Sequence, residues 1–305
     1  MADLTILFAT YNGQDVLNET LTGYTKVEAT GVSWEIIAVD NASTDRTNEI
    51  LVSYKGLLPL TILYHDRPGK NRALNAAISK IQSDFVIVTD DDAIPEPDFL
   101  TSWLEASKTH KEFQLFGGTI EPFFQKSPPP WMQKSRFHYD EIFAVRTLKT
   151  GPIKATEIFG PNMAVRKNIF DSGIVFNEEI GPNGLNKNYP MGSETEFCRS
   201  AESHGYKAYF CENPKVRHIV RPHQIEKDFW RKRAYRHGLG FGMQEKLKKT
   251  EKLSRFDTAS ILSRGVIKQG LCYFKYLTEY KEPNRQKALW QYYWEKGYLV
   301  GRLGI

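Results

Sequence analysis

The first hundred residues repeat one pattern four times: a short apolar run, a turn, then a helix-patterned stretch. Leu4-Thr5-Ile6-Leu7-Phe8-Ala9 ends at Tyr11-Asn12-Gly13, and Val16, Leu17 and Leu21 then share one helical face. Trp34-Glu35-Ile36-Ile37-Ala38-Val39 ends at Asp40. Ser43 is expected to cap the following helix, with Asp45 in its first turn and Leu51 inside it. Leu60 to Tyr64 reads as the third strand, Arg72 to Ile81 as the third helix, and Phe85 to Thr89 as the fourth strand. Strands this continuously apolar are buried on both faces, which means βαβ units and a parallel sheet. Crossovers in such a sheet are right-handed, and its ligands bind beyond the strand C-terminal ends. The residues that follow the strands are therefore the candidates for chemistry.

Beyond about residue 110 the rhythm breaks. Gln114 to Ile120 predicts a fifth strand and Tyr206 to Phe210 a later one. Ser127-Pro128-Pro129-Pro130-Trp131 predicts a stiff surface loop, since proline suits neither a helix interior nor a central strand. Gly181 to Gly192, rich in Gly, Asn and Pro, predicts a long functional loop, and the chain is helical from Phe229 onward. No internal repeat is present. The reading is one α/β domain over 1–225 and a helical region over 226–305.

Composition narrows the class. Hydrophobic residues at 41% and charged residues at 25% exclude a disordered chain. No apolar run approaches the roughly 20 residues of a membrane span. An acid at Asp3 stands where a signal peptide carries its basic segment, so a soluble cytoplasmic chain is expected. Cys198, Cys211 and Cys272 fall in no CxxC pattern, which argues against a disulfide framework and against structural zinc. A net charge of +5 is too small to argue for nucleic acid.

Three segments at strand ends carry chemistry. Asp90-Asp91-Asp92 sets three carboxylates together, an arrangement that a hard divalent ion such as Mn²⁺ or Mg²⁺ offsets. Its plainer reading is an acidic turn ahead of the helix near Pro97. Asp40 can accept hydrogen bonds from a base imide or a ribose hydroxyl, and it precedes the expected Ser43 cap without being needed for it. Gly69-Lys70-Asn71-Arg72 opens a helix with cations, which makes an anion site, although basic helix starts are also common on surfaces.

Taken together, Ala9-Thr10-Tyr11-Asn12, Val39 to Asp45, Gly69-Lys70 with Ala73-Leu74-Asn75, and Thr89 to Asp92 resemble the family 2 glycosyltransferases of GT-A fold. The resemblance covers residues 1 to about 225. It implies a Rossmann-like, mostly parallel sheet flanked by helices, here with a helical C-terminal extension. It implies an inverting, metal-dependent transfer from a nucleotide-sugar, expected to be UDP-linked, to a glycan or lipid-linked acceptor. The positions matching Ala9, Thr10, Asn12, Asp40, Asn75 and Asp91 then belong to the donor site. Thr10 and Asp40 are the ones placed at the uracil. Asp90 would reach ribose and metal, and Asp92 would ligate the metal. Many members carry Ala-Arg-Asn where this chain has Ala73-Leu74-Asn75, which leaves open whether Lys70 or Arg72 supplies the cationic contact.

The second half extends the resemblance. Gly160 to Arg166 looks like the family's acceptor-side strand. Met191-Gly192-Ser193-Glu194-Thr195-Glu196 resembles the motif that supplies the catalytic base. Ser193 and Glu196 predict a capping box, leaving Glu194 free to face the cleft as the base. Val216-Arg217-His218 resembles a Val-x-His segment whose histidine reaches the metal or pyrophosphate. The remaining histidines, His65, His110, His138, His204, His223 and His237, have no supporting motif.

Basic residues crowd 217–252, among them Arg231, Lys232, Arg233 and Arg236. Their face suits an anionic membrane surface, the plainer reading being the solvated face of a helical layer packed on the α/β domain. The aromatics Trp290, Tyr292, Tyr293, Trp294 and Tyr298 are assigned to packing on the α/β domain. Two rivals differ in class. A nucleotidyltransferase would place a Gly- and Arg-rich phosphate loop after the first strand, where this chain has Thr10-Tyr11-Asn12-Gly13. A non-catalytic assembly protein that keeps the fold would not need Asp90, Asp92 and Glu194.

Overall fold

The computed structural model describes residues 2–135, 139–183, 188–248 and 254–304. Four strands, β1 (Leu4–Thr10), β2 (Trp34–Asp40), β3 (Leu60–Tyr64) and β4 (Phe85–Val88), run parallel in the order β3-β2-β1-β4. The sheet continues through β5 (Ala93–Pro95), β6 (Leu115–Phe124), β7 (Gly151–Ile153), β8 (Met163–Arg166) and β9 (Ala208–Val220). Its full order is β3-β2-β1-β4-β8-β6-β9-β5, with β7 paired to β9. Parallel pairing is interrupted by β8, antiparallel to both β4 and β6, and by β5 and β7, both antiparallel to β9.

The alternation of side chains along β1 builds two cores. Leu4, Ile6 and Phe8 enter one, with Trp103, while Leu7 and Ala9 enter the other, with Leu74. Helices α1 (Leu17–Tyr24), α2 (Thr47–Ser53), α3 (Lys70–Ala77) and α4 (Phe99–Thr109) divide between them. Leu21, Leu51 and Trp103 of α1, α2 and α4 fill the first core, and Ala73 and Ala77 of α3 the second. Full burial of a large apolar side chain contributes roughly 1.5–3 kcal/mol.

The structure corrects several local expectations. Pro130 opens a helix, α5 (Pro130–Ser135), followed by α6 (Tyr139–Phe143). A first-turn position tolerates proline because its missing N–H would have no intrahelical partner there. Ser43 does not cap α2, which begins at Thr47; its Oγ instead accepts the Asn12 N–H at 3.0 Å. Asp45 holds the helix entry by accepting the Thr47 N–H at 3.0 Å. The later strand does not end at Phe210 but runs on through His218, with a register shift that leaves residues 212–214 bulged opposite Gly118 and Thr119.

Past α7 (Asn168–Asp171) and α8 (Ser193–Ser203), the chain ends in three long helices: α9 (Lys227–Lys248), α10 (Arg255–Thr278) and α11 (Glu282–Leu303). Trp290 is buried in one cluster with Met132, Ile142 and Phe143, and Tyr293 and Trp294 pack against that cluster, so these three tail aromatics meet the α/β domain, whereas Tyr292 lies beside Tyr273 of α10. Glycines let α9 and α11 touch backbone to backbone. A Cβ on Gly297 would lie 2.0 Å from the Tyr235 carbonyl oxygen. Lys249 and Lys252 of the basic stretch, His138, and residues 184–187 of the expected loop lie outside the described residues. Among the described residues, no helix is long and apolar enough to cross a membrane.

Candidate functional site

A cleft of about 490 Å³ opens beyond the C-terminal ends of β1, β2 and β4, roofed by α9. Its floor is acidic. Thr10, the last residue of β1, donates from Oγ1 to Asp91 Oδ2 at 2.5 Å. Burial, together with the neighbouring Asp92 charge, pushes the Asp91 carboxyl up to about 7. Asp92 goes the other way. Burial opposes its charge, but His218 and Arg221 outweigh that and hold it at about 2.

The pairing of β5 with β9 sets Ala93 opposite His218 and so brings this histidine to the acidic turn. His218 Nδ1 lies 2.7 Å from the Phe143 carbonyl oxygen, which makes it the donor and turns Nε2 toward Asp92 Oδ1, 3.1 Å away. Burial would lower the imidazole pKa, yet the Asp92 charge raises it. Ligand atoms of Asp90, Asp92 and His218 lie within 4.8 Å of one another. Two carboxylate oxygens and an imidazole nitrogen fixed by a second hydrogen bond suit a divalent cation such as Mn²⁺ or Mg²⁺.

The opposite wall carries the second charge centre. Gly69, at φ +150°, turns the chain into α3, and Lys70 reaches from the first helical residue into the cleft. Its Nζ donates to Asp90 Oδ1 at 2.5 Å and to Glu194 Oε1 at 2.7 Å. Burial works against a charged lysine, but the two carboxylates overcome it and raise its pKa. Burial likewise opposes the Glu194 charge, and Lys70 holds that carboxyl down at about 2.

Glu194 is positioned by backbone that only glycine permits. Gly192, at φ +100°, starts α8, and a Cβ on Gly160 would lie 2.9 Å from the Glu194 carboxyl carbon. The predicted capping box does not form. Ser193 is already helical and donates from Oγ to Glu194 Oε2 at 2.8 Å, while the Glu196 N–H bonds the Gly192 carbonyl. Glu196 is half-buried and stays out of the cleft lining.

The sequence-derived candidates separate into two groups. Ala9, Thr10, Lys70, Asp90, Asp91, Asp92, Glu194 and His218 line one cleft. Asn12, Asp40, Arg72 and Asn75 do not. Arg72 pairs with Glu178 at 2.9 Å, so of these two cations it is Lys70 that faces the cleft. Asn75 donates to the Phe176 carbonyl at 2.8 Å, and Asn12 accepts the Thr44 N–H at 2.8 Å, so both tie loops together. Asp40 is buried and accepts the Ser43 N–H at 3.0 Å, so it anchors the very turn it was expected not to serve.

Sequence reading missed the roof. Phe229, Arg233, Arg236 and His237 of α9 line the cleft, together with Arg221 just after β9. Arg221 lies 3.4 Å from Asp92 Oδ2, and the Arg236 guanidinium sits 4.7 Å from the Tyr189 ring centroid. Burial lowers the Arg233 pKa, against the pull of Tyr189 and the acidic floor. Arg233 and Arg236 were expected at a membrane surface, and the structure turns them inward. The signal was present: positions 229, 233, 236 and 237 follow i, i+4, i+7, i+8, the spacing of one helical stripe.

Known proteins share this architecture. TarS residues 1–349 from Staphylococcus aureus, solved with UDP-GlcNAc, superposes with a TM-score of 0.55 at 15% identity, covering 99% of this chain and 92% of that one. The mannosyltransferase PcManGT from Pyrobaculum calidifontis, solved with GDP-Man and Mn²⁺, gives 0.61 at 17% identity, covering 98% and 87%. In sequence, the poly(ribitol-phosphate) beta-N-acetylglucosaminyltransferase TarS of Staphylococcus aureus is 28% identical over 172 residues, 53% of this chain and 30% of TarS. The undecaprenyl-phosphate 4-deoxy-4-formamido-L-arabinose transferase of Edwardsiella ictaluri is 30% identical over 108 residues, 34% of this chain and 33% of that protein. The chain thus matches about a third of the length of these two curated relatives. The family model for glycosyl transferase family 2 matches residues 5–173, more than half of the chain and including the acidic turn after β4, and the chain belongs to glycosyl transferase family 2.

Proposed function

We propose that the chain is an inverting, metal-dependent glycosyltransferase that moves a sugar from a UDP-linked donor to a hydroxyl of a glycan or lipid-linked saccharide. The observation that carries this reading is Glu194 held against Lys70 in the same cleft as Asp90, Asp92 and His218. Family membership supports the reaction class. The UDP and UDP-GlcNAc complexes of TarS support the donor class. Relatives named for poly(ribitol-phosphate) and undecaprenyl-phosphate support a polymeric or lipid-linked acceptor.

Asp90, Asp92 and His218 Nε2 would hold Mn²⁺ or Mg²⁺, which when bound neutralises charge on the departing diphosphate. Ala9 and Thr10 would wall the base and ribose, with Asp40 acting through the turn it anchors. Lys70, which bonds both Asp90 and Glu194, would leave Glu194 for the diphosphate. Without that ammonium beside it, the Glu194 carboxylate is a stronger base. It then takes the acceptor's proton as the hydroxyl oxygen attacks the anomeric carbon from the face opposite the diphosphate. On this reading residues 1–225 form the catalytic unit, and the helices of 226–305 close its acceptor side. The cytoplasm is its proposed location, where Cys198, Cys211 and Cys272 stay reduced.

The test is UDP release from nucleotide-sugars with Mn²⁺, across a panel of glycan and lipid-linked acceptors. Glu194→Gln should lower transfer by about 10²–10⁴ while UDP affinity stays nearly unchanged. Glu196→Gln should cost much less. Normal transfer by Glu194→Gln would remove the base from the mechanism.

A further inference from the structure

The helix α10 has two apolar faces, and among the described residues only one is covered. Its inner face packs on α11: a Cβ on Gly265 would meet the Leu299 side chain at 2.5 Å, and Arg285 lies 4.7 Å over the Tyr276 ring. The outer face carries Phe256, Val266, Ile267, Leu271, Phe274 and Leu277, all exposed, with Phe256 at 90% and Phe274 at 65%. Phe256, Ile267 and Phe274 are spaced by 11 and 18 residues, three and five helical turns, so they stand in one line. The stripe from 256 to 277 is about 32 Å long at 1.5 Å per residue. A soluble surface rarely leaves an apolar strip of that length uncovered.

Charge says what covers it. Residues 254–281 carry five cations, Arg255, Arg264, Lys268, Lys275 and Lys281, against two acids, Asp257 and Glu279. On the helical wheel Arg264, Lys268 and Lys275 fall together along one edge of the stripe, Lys268 being already paired with Glu295 of α11 at 3.7 Å, which leaves Arg264 and Lys275 for an outside partner. A second copy meeting this strip about a two-fold axis would bring the same cation-rich segment against itself, with few acids to answer it. An anionic lipid surface answers both features, since its headgroups meet the cations and its acyl boundary takes the Phe, Ile and Leu side chains.

We propose that the outer face of α10 lies on an anionic membrane surface, with its apolar stripe in the headgroup–acyl boundary and Arg264 and Lys275 at the headgroups. This is a different surface from the basic residues of α9, whose Arg233 and Arg236 face the cleft. It stands whether or not the assigned transfer reaction is correct.

The experiment is flotation of the full chain with phosphatidylcholine vesicles, with and without 30 mol% phosphatidylglycerol, read alongside sedimentation velocity without lipid. The wild-type chain should float with the anionic vesicles only, lose binding as salt rises, and sediment as a monomer. Ile267→Glu/Phe274→Glu should abolish flotation with an unchanged thermal melt, because both side chains are solvent-exposed. Arg264→Gln/Lys275→Gln should weaken flotation at least several-fold. If the double glutamate variant misfolds, Leu271→Ser/Leu277→Ser repeats the test with neutral groups. Equal flotation with neutral vesicles, no flotation by the wild type, or full flotation by the folded variants would each overturn the proposal. So would a wild-type dimer that Ile267→Glu/Phe274→Glu dissociates, since the face would then be a self-association surface.

Discussion

Lys70 Nζ lies 2.7 Å from Glu194 Oε1, although 124 residues separate the two in sequence. The lysine starts α3 on one side of the cleft, and the glutamate lies in the first turn of α8 on the other. Because Lys70 also bonds Asp90, it links the acidic floor to the proposed base. A ligand that draws the lysine away takes the same cation from both carboxylates at once.

Replacing Lys70 by glutamine removes the charge that holds Glu194 at about 2. With that cation gone, burial is left opposing the Glu194 charge, and its carboxyl moves up. The acid limb of the pH profile of kcat/KM, which reports the free enzyme, should rise with it, and donor affinity should fall. An unmoved acid limb would show that the lysine does not govern the base.

Asp91 gives a stability prediction with a defined sign. Its folded pKa of about 7 lies above the ordinary aspartate value, so folding disfavours its charged form. That cost is absent below about pH 4, grows as pH rises toward 7, and is fully present above. In metal-free buffer, Asp91→Asn should melt above the wild type at pH 8, with the difference closing by pH 4. Parallel melting curves across that window would contradict the assignment.

Asp92→Asn keeps the shape of the acidic turn but removes a hard anionic ligand. Calorimetry should find UDP binding that no longer strengthens on adding Mn²⁺, in a protein that still melts cooperatively. Retention of the wild-type Mn²⁺ effect would take Asp92 out of the metal site.

Gly297→Ala drives a methyl group into α9, 2.0 Å from the Tyr235 carbonyl oxygen. Overpacking of this kind costs about 1–3 kcal/mol, and a backbone atom cannot rotate out of the way. Gly270 of α10 has open space around its Cβ position, so Gly270→Ala should instead stabilise by about 0.5–1 kcal/mol. Urea titrations of the two variants should move in opposite directions from the wild type. A neutral Gly297→Ala would mean that α9 and α11 separate easily.

Local periodicity and strand-end chemistry made much of this protein readable without coordinates. The strands Leu4–Thr10 and Phe85–Val88 are almost continuously apolar because both faces of the central sheet are covered, whereas the edge strand Leu60–Tyr64 leaves Thr61 and Tyr64 exposed. Asp90 to Asp92, Lys70 and Glu194 were legible because each sits at an element end on the sheet's ligand edge. Capping was misread at Ser43 and Ser193, because a serine near a helix start bonds whichever donor or acceptor the fold brings nearest. The sequence alone could not separate Lys70 from Arg72, two residues apart on one helix, since the choice depends on Glu178 meeting Arg72 from a distant loop. Nor could it decide which basic residues of α9 face the cleft and which face water. A charged side chain carries no local preference between those two places; its direction is set when α11 locks against α9 through glycines far along the chain. Element type and the edge where chemistry collects follow from local pattern, whereas the partner each charge meets is fixed only by tertiary packing.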